Sequence, residues 1–312
     1  MLQSRDQTIY TAFGFSITSE IPLPELPQST RQADDIDIHI SLRDLTALWV
    51  ELSDSRSYFV VTKHMIMFKI PDVAIFCVED GENIFVSPFR DADVDVIRLY
   101  LLGTCMGALL IQNNIIPLHG SAIAIDGKAY AIIGESGAGK STLATALLSK
   151  GFQLLTDDVI AVTVSETNVP YVIPSYPQQK LWLETLNYFG MGRDEYRPVF
   201  QRETKFSIPV SAQFTDQPLP LAGVFELVKK EKGDIEMQKV EKLQCLQTLY
   251  LHTYRNFLVK RLNVMEWHFN QCIQIANCVK TYRLLRSDSI FSVSRLANLA
   301  LSTINEGADV YA

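Results

Sequence analysis

The chain has 312 residues, 47% of them in the hydrophobic set and 20% charged, which is enough for two packed domains and excludes a disordered tail. Lys and Arg total 28 against 35 Asp and Glu, a net charge of -7, so neither nucleic acid nor an anionic membrane surface has a broad electrostatic hold on it. Any phosphate site must therefore be local.

The opening MLQSRDQTIY has no apolar signal stretch. Residues 1 to about 90 read as strands, because apolar positions alternate through Asp35-Ile36-Asp37-Ile38-His39-Ile40 and again from Tyr58 to Ile70, with breaks at Pro and Gly. Val73 to Val78, the turn Asp80-Gly81 and Ile84 to Val86 read as a hairpin. From Asp93 to about Asn113 the period turns helical, and Val94, Ile97, Leu101 and Leu109 are too apolar for a surface. The run from Val94 to Ile111 carries Arg98 and falls short of the roughly 20 apolar residues a membrane span needs. These features predict a cytoplasmic α/β protein, α+β overall, with a β-rich domain over 1–92 and a second domain over 93–312.

In the second domain, Ser121 to Ile125, the turn Asp126-Gly127 and Ala129 to Ile133 predict a hairpin, followed by a helix from Lys140 to about Lys150. Phe152 to Val164 is strand-like but interrupted by two aspartates, and Pro170 to Pro177 reads as loop. A short helix is expected over Leu181 to Phe189 and a strand over Ala222 to Val228. Further helices are expected over Val240 to Phe257, Glu266 to Lys280 and Ile290 to Asn305. The cysteines at 77, 105, 245, 272 and 278 have no CxxC spacing and read as reduced core thiols.

Gly134-Glu135-Ser136-Gly137-Ala138-Gly139-Lys140-Ser141 is a P-loop pattern between a predicted strand and a predicted helix. Its glycines let backbone amides surround a phosphate, and the helix N-terminus adds positive potential. Lys140 is expected to reach the β/γ-phosphates and Ser141 to ligate Mg2+. Asp157 and Asp158 end an apolar strand, so Asp157 is assigned to the metal side, with Ser141, and Asp158 to a general base. An NTPase needs one acid and a water, whereas a second carboxylate able to take a hydroxyl proton leans toward a kinase. His119, just before the P-loop hairpin, is a candidate for a place beside the γ-phosphate or for pairing with an aspartate, while His39, His64, His252 and His268 carry no functional reading.

His119-Gly-Ser-Ala, Asp126-Gly-Lys, Gly134 through Ser141-Thr142-Leu143, Gly151-Phe152 and Leu155-Thr-Asp157-Asp158-Val159 resemble the catalytic domain of the HPr serine kinase family. Ala12-Phe13-Gly14, Ser19 to Leu26 and Pro174 to Trp182 resemble more narrowly the lasso peptide precursor kinases of that family. The resemblance implies a fold akin to phosphoenolpyruvate carboxykinase, with ATP and Mg2+ as cofactors. Lys140, Ser141 and the loop from Gly134 to Thr142 would bind nucleotide, Asp158 would accept the proton, and His119 would act in the site. The implied acceptor is the C-terminal serine of a peptide. The family's bifunctional members carry Glu where this chain has Thr142, and their downstream Glu-x-Arg-Gly signature is missing here. Lys180, near where that signature would fall, and Arg202 and Lys205 are the substrate candidates, for the γ-phosphate or a peptide carboxylate.

The expectation is an ATP- and Mg2+-dependent serine kinase whose partner is a peptide. A regulatory kinase acting on a carrier such as HPr and a nucleotide-switched binding module are the alternatives. The strand edges of the first domain leave a homo-oligomer open.

Overall fold

Alternating apolar residues build a seven-stranded sheet from the first part of the chain. Its strands are β1 (Ile9–Ala12), β2 (Phe15–Ser19), β3 (Ile38–Leu42), β4 (Phe59–Val61), β5 (Met65–Ile70), β6 (Ala74–Glu79) and β7 (Asn83–Pro88), with helix α1 (Thr46–Leu52) between β3 and β4. The order is β1-β2-β3-β7-β6-β5-β4. The β1–β2 hairpin is closed by Phe13 and Gly14, both at positive φ as a two-residue turn requires. The computed structural model describes residues 8–29, 36–54, 58–199, 202–231, 233–287 and 293–308; Asp35 and Ile290, named above, lie outside them.

Helices α2 (Val94–Tyr100) and α3 (Met106–Gln112) join through a π-helical turn, Leu101–Cys105, into one 19-residue helix. Asp93 caps it by accepting from Asp95 N at 2.8 Å. Contrary to the sequence expectation, that length and apolar character suffice to cross a membrane, but 78% of its most apolar window is buried and Arg98 is paired with Glu25 at 2.8 Å and Asp95 at 2.6 Å. It is a core helix of the first unit. Gln112 and Asn113 bond the Gly81 backbone at 3.0 and 2.7 Å, and Tyr100 packs 5.9 Å from Phe76. The compact units accordingly run 1–115 with 255–267, and 116–254 with 268–312, so the expected division at 92 falls too early. A sequence boundary placed at the change of period cannot see that the helix packs backward on the preceding sheet.

The second unit begins with β8 (Ile116–Ile125), β9 (Lys128–Ile133), α4 (Lys140–Leu148), β10 (Gln153–Val164) and β11 (Pro170–Ile173). There follow β12 (Gln178–Trp182), α5 (Leu183–Tyr188), β13 (Arg197–Val199), β14 (Arg202–Pro209), β15 (Leu219–Lys230) and β16 (Glu236–Lys239). Then come α6 (Lys242–Leu251), α7 (Phe257–Arg261, in the segment returning to the first unit), α8 (Met265–Cys278), β17 (Lys280–Ser287) and α9 (Val293–Ala308).

Its main sheet is ordered β11-β10-β8-β9-β15-β17-β16, and β11 also pairs with β15, so five strands close on themselves. β9, β15 and β17 run parallel, and β12-β14-β13 form a separate small sheet. Leu143 and Leu147 of α4 and Leu296 of α9 share a core with Leu154, Leu227 and Leu284 of the sheet.

This mixed α/β fold corrects several element assignments. Pro170–Ile173 is a strand because its residues complete the ladder of β10, Leu181 and Trp182 end a strand rather than start a helix, and α6 stops at Leu251. Cys278 is exposed, unlike the other four cysteines; all five are free thiols.

Candidate active site

The strand β9 delivers the chain into the loop that starts at Gly134, where φ is +150° and an added Cβ would lie 2.5 Å from Leu227 O of β15. Only glycine fits this close approach. The loop ends at Gly139, and α4 starts at Lys140, so the helix N-terminus faces the loop cavity as the motif requires. Lys140 lies folded over its own loop, donating to Gly134 O and Glu135 O at 2.9 Å each. Burial lowers its pKa to about 8, against the pull of Asp157 and Asp158.

Asp157 and Asp158 stand on β10 opposite Ser121 and Gly120 of β8. Gly120 is obligatory, since a Cβ there would meet Ile132 O at 2.2 Å. Asp157 is buried and fully engaged: its Oδ1 accepts from Ser121 Oγ at 2.5 Å and Ser141 Oγ at 3.0 Å, and its Oδ2 from Lys180 N at 2.9 Å. Asp158 accepts from Lys180 Nζ at 2.7 Å, with side-chain exposures of 22% and 9%. His119 sits beside them, its Nδ1 3.0 Å from Asp158 O and 3.7 Å from Asp158 Oδ1. Main-chain bonds at 2.7 Å from His119 N to His252 O and from Tyr254 N to Pro117 O lay residues 252–254 along β8, with the Tyr254 ring 5.7 Å from His119.

The charges settle one another. Burial raises the Asp158 pKa, but the ammonium groups of Lys180 above all and of Lys205 outweigh it and hold the carboxyl well below the usual range. Burial equally opposes the Lys180 charge, and Asp158 reverses that, keeping the ammonium protonated. The His119 imidazole is pushed down by burial and by Lys140, with Asp158 only partly compensating, so it is neutral at pH 7. A neutral ring with Nδ1 facing a carbonyl carries its proton there and leaves Nε2 as an acceptor.

The structure thus brings together His119, the 134–141 loop, Asp157, Asp158 and Lys180, and Lys205 is close enough to act on Asp158 and Lys140 from over the Trp182 ring at 5.7 Å. Thr142 differs: its hydroxyl is shared with Thr185 of α5 at 2.9 Å. Arg202 lies in β14 opposite Val199, and its side chain is outside the described residues. Tyr176 is buried and Trp182 half-buried.

Two participants were missed by the sequence reading. Ser121 was in view but unassigned, and its signal was its place two residues after His119 on the same strand, hence on the same face. Arg286 of β17 donates from Nε to Ala138 O at 2.6 Å and lies about 3.5 Å from where a Gly139 Cβ would be. Nothing local marks a residue so distant in sequence as a support of the loop.

Among the described residues no group of three or more His, Cys, Asp or Glu could hold a metal by itself. The oxygens of Asp157, Ser121 and Ser141 nevertheless form a hard donor set beside the phosphate loop, which fits Mg2+ bound through one carboxylate, one hydroxyl and phosphate oxygens.

No family model matches the chain. It is 35% identical over 91 residues to HPr kinase/phosphorylase of Ralstonia pickettii, covering 29% of this chain and 26% of that protein. Identity to the same-named protein of Aromatoleum aromaticum is 34% over 112 residues, 34% of each, and to that of Bordetella pertussis 36% over 125 residues, 40% of this chain and 37% of that one. A solved HPr(Ser) kinase/phosphatase from Coxiella burnetii aligns with 62% of this chain and 98% of its own, at 16% identity and a TM-score of 0.35. The chain spans only about a quarter to just over a third of the length of these curated relatives. Over that share it is similar in sequence to HPr kinase/phosphorylases.

Proposed function

We propose that the protein is a serine kinase that moves the γ-phosphoryl group of ATP to a serine hydroxyl. The observation that carries this reading is the coupling of the phosphate loop to two differently engaged carboxylates: Ser141 is bonded to Asp157, and Asp158, one residue on, is held by a buried lysine and a neutral histidine. The second acid can take the proton of an acceptor hydroxyl. The similarity to HPr kinase/phosphorylases supports the same reaction class.

Lys140 and the loop amides hold the β/γ-phosphates. Ser141 and Asp157 would hold Mg2+, which when bound offsets charge on the phosphate oxygens. Asp158 orients the acceptor hydroxyl and takes its proton as the serine oxygen bonds phosphorus and the bond to the leaving oxygen of ADP breaks. A carboxylate held this acidic accepts the proton late, once the oxygen has bonded phosphorus. His119 fixes the Asp158 main chain through Nδ1–H and presents Nε2 to the site.

The acceptor proposed is the C-terminal serine of a lasso precursor peptide, supported by the resemblance of residues 12–14, 19–26 and 174–182 to that subgroup. The similarity to HPr kinase/phosphorylases favours HPr as the second candidate. Incubation with ATP, Mg2+ and either acceptor, read by mass spectrometry, tests both: one phosphate is gained by the true acceptor and none when its serine is alanine. Asp158→Asn lowers the rate about 10²- to 10⁴-fold. An unchanged rate removes the base assignment.

A further inference from the structure

Three residues between α6 and α7 are tied down one by one along β8. His252 N donates to Thr248 O and its carbonyl accepts from His119 N at 2.7 Å, while its ring Nε2 lies 3.2 Å from Oε1 of Glu226, a β15 carboxylate that Arg283 also holds at 2.7 Å. Thr253 bridges Leu118, gives its hydroxyl proton to Leu249 O and accepts from His268 Nε2 at 2.8 Å. Tyr254 N donates to Pro117 O at 2.7 Å. Connecting segments ordinarily run loosely over the surface. This one is fixed to the strand that carries His119, and it stands the Tyr254 ring 5.7 Å from the His119 ring, tilted 54° to it, with the phenol close enough to act on the Lys180 ammonium.

The His119 ring has two oxygens of Asp158 in front of it. Nδ1 is 3.0 Å from the main-chain carbonyl and 3.7 Å from Oδ1, and only the first distance is a hydrogen bond. The choice matters because Oδ2 is taken by Lys180, whereas among the described residues Oδ1 accepts no hydrogen bond. Oδ1 is therefore the oxygen left to receive the acceptor proton. A small turn of the imidazole would move Nδ1–H from the carbonyl to Oδ1 and put a donor on the oxygen that must act as base. Aromatic rings in contact hold preferred relative orientations, so the ring packed on His119 resists that turn. Resting on the phosphotransfer reading above, we propose that Tyr254 is a positioning residue: packed on the His119 ring, it keeps Nδ1–H on the Asp158 carbonyl and leaves Oδ1 to the acceptor hydroxyl.

Phosphate transfer to the acceptor is measured as kcat and KM for ATP in the wild type, Tyr254→Phe, Tyr254→Leu, His119→Ala and the combined Tyr254→Leu/His119→Ala variant. Tyr254→Leu should lower kcat about 10- to 100-fold, the scale of a misplaced catalytic group, with KM for ATP and the melting temperature little changed. Tyr254→Phe, which keeps the ring, should retain most of the rate. The combined variant should be no slower than the slower of its two parents, because Tyr254 acts through His119. Losses that multiply in the combined variant overturn the assignment and leave the kinase reading intact. So do a Tyr254→Leu enzyme at the wild-type rate, one whose loss lies in KM for ATP or follows thermal stability, and a Tyr254→Phe enzyme as slow as Tyr254→Leu. If Tyr254→Leu does not fold, Tyr254→Trp takes its place in the cycle, where coupling to His119 supports the assignment and independence overturns it. Absence of transfer to any serine peptide or carrier overturns the kinase reading and this assignment with it.

Discussion

Acid should loosen the second unit through one buried histidine. His268 is 2% exposed, and burial lowers its pKa from 6.5 to about 4. Thr253 spends its hydroxyl proton on Leu249 O at 2.8 Å, so it accepts from His268 Nε2–H at 2.8 Å, while Nδ1 lies 3.6 Å from Cys272 Sγ. The histidine is therefore held neutral. Below pH 6.5 the unfolded chain takes up a proton that the native ring refuses until about pH 4, so stability is complete above 6.5 and declines between those values. The difference amounts to about 2.5 kcal/mol at pH 4.5 and about 1.4 kcal/mol at pH 5.5. Urea unfolding at pH 7.5, 5.5 and 4.5, compared between the wild type and His268→Gln, isolates this contribution, because every other titrating group is common to both. The wild type should lose stability relative to the variant by those amounts. Parallel pH dependences would refute the reasoning. The site should feel the change as well, since Thr253 bridges Leu118, the neighbour of His119.

Two further substitutions probe the supports that the sequence did not reveal. Ser121→Ala removes the 2.5 Å bond to Asp157 and should lower phosphotransfer about 10- to 100-fold at limiting Mg2+, with recovery as Mg2+ is raised in a titration. Arg286→Gln releases Ala138 O and should raise the KM for ATP about 10-fold with kcat little changed, while Arg286→Lys, which can still reach the carbonyl with one donor, should fall between; a purely structural role would instead depress kcat and thermal stability together.

Much of the site was legible because its parts are short-range. The loop from Gly134 to Ser141, its entering strand and leaving helix, and the aspartate pair all lie between residues 128 and 158, so residue type and spacing suffice to pick them out. What was illegible depends on contacts far apart in sequence: Arg286 against Ala138, residues 252–254 against β8, and the small sheet β12-β14-β13 that carries Lys180 and Lys205. Lys180 was visible as a cation, but its partner was not, because only the folding of β12 beside β10 brings it to Asp158. The strands β16 and β17 escaped for another reason. Glu236–Lys239 is a charged edge strand that faces solvent instead of alternating with apolar residues, and β17 beside it, Lys280–Ser287, carries Arg283 and Arg286, whose partners Glu226 and Ala138 lie far off in sequence.

The aspartate pair also explains why the strand looked interrupted. In regular β structure neighbouring side chains point to opposite faces, so Asp157 and Asp158 could not serve one site. β10 runs unbroken through both, but its register shifts between Leu154 and Thr156, and Asp158 takes φ +77°. The left-handed residue breaks the alternation, with the result that both carboxylates meet Lys180, one at its main-chain nitrogen and the other at its ammonium. A non-glycine residue in that region costs about 1–2 kcal/mol. Thr156 Oγ donating to Val159 O at 2.5 Å and His119 bonded to Asp158 O brace the kink from either side, and the ion pair to Lys180 offsets its cost. The strain is thus confined to the one residue of the pair whose carboxylate meets the Lys180 ammonium.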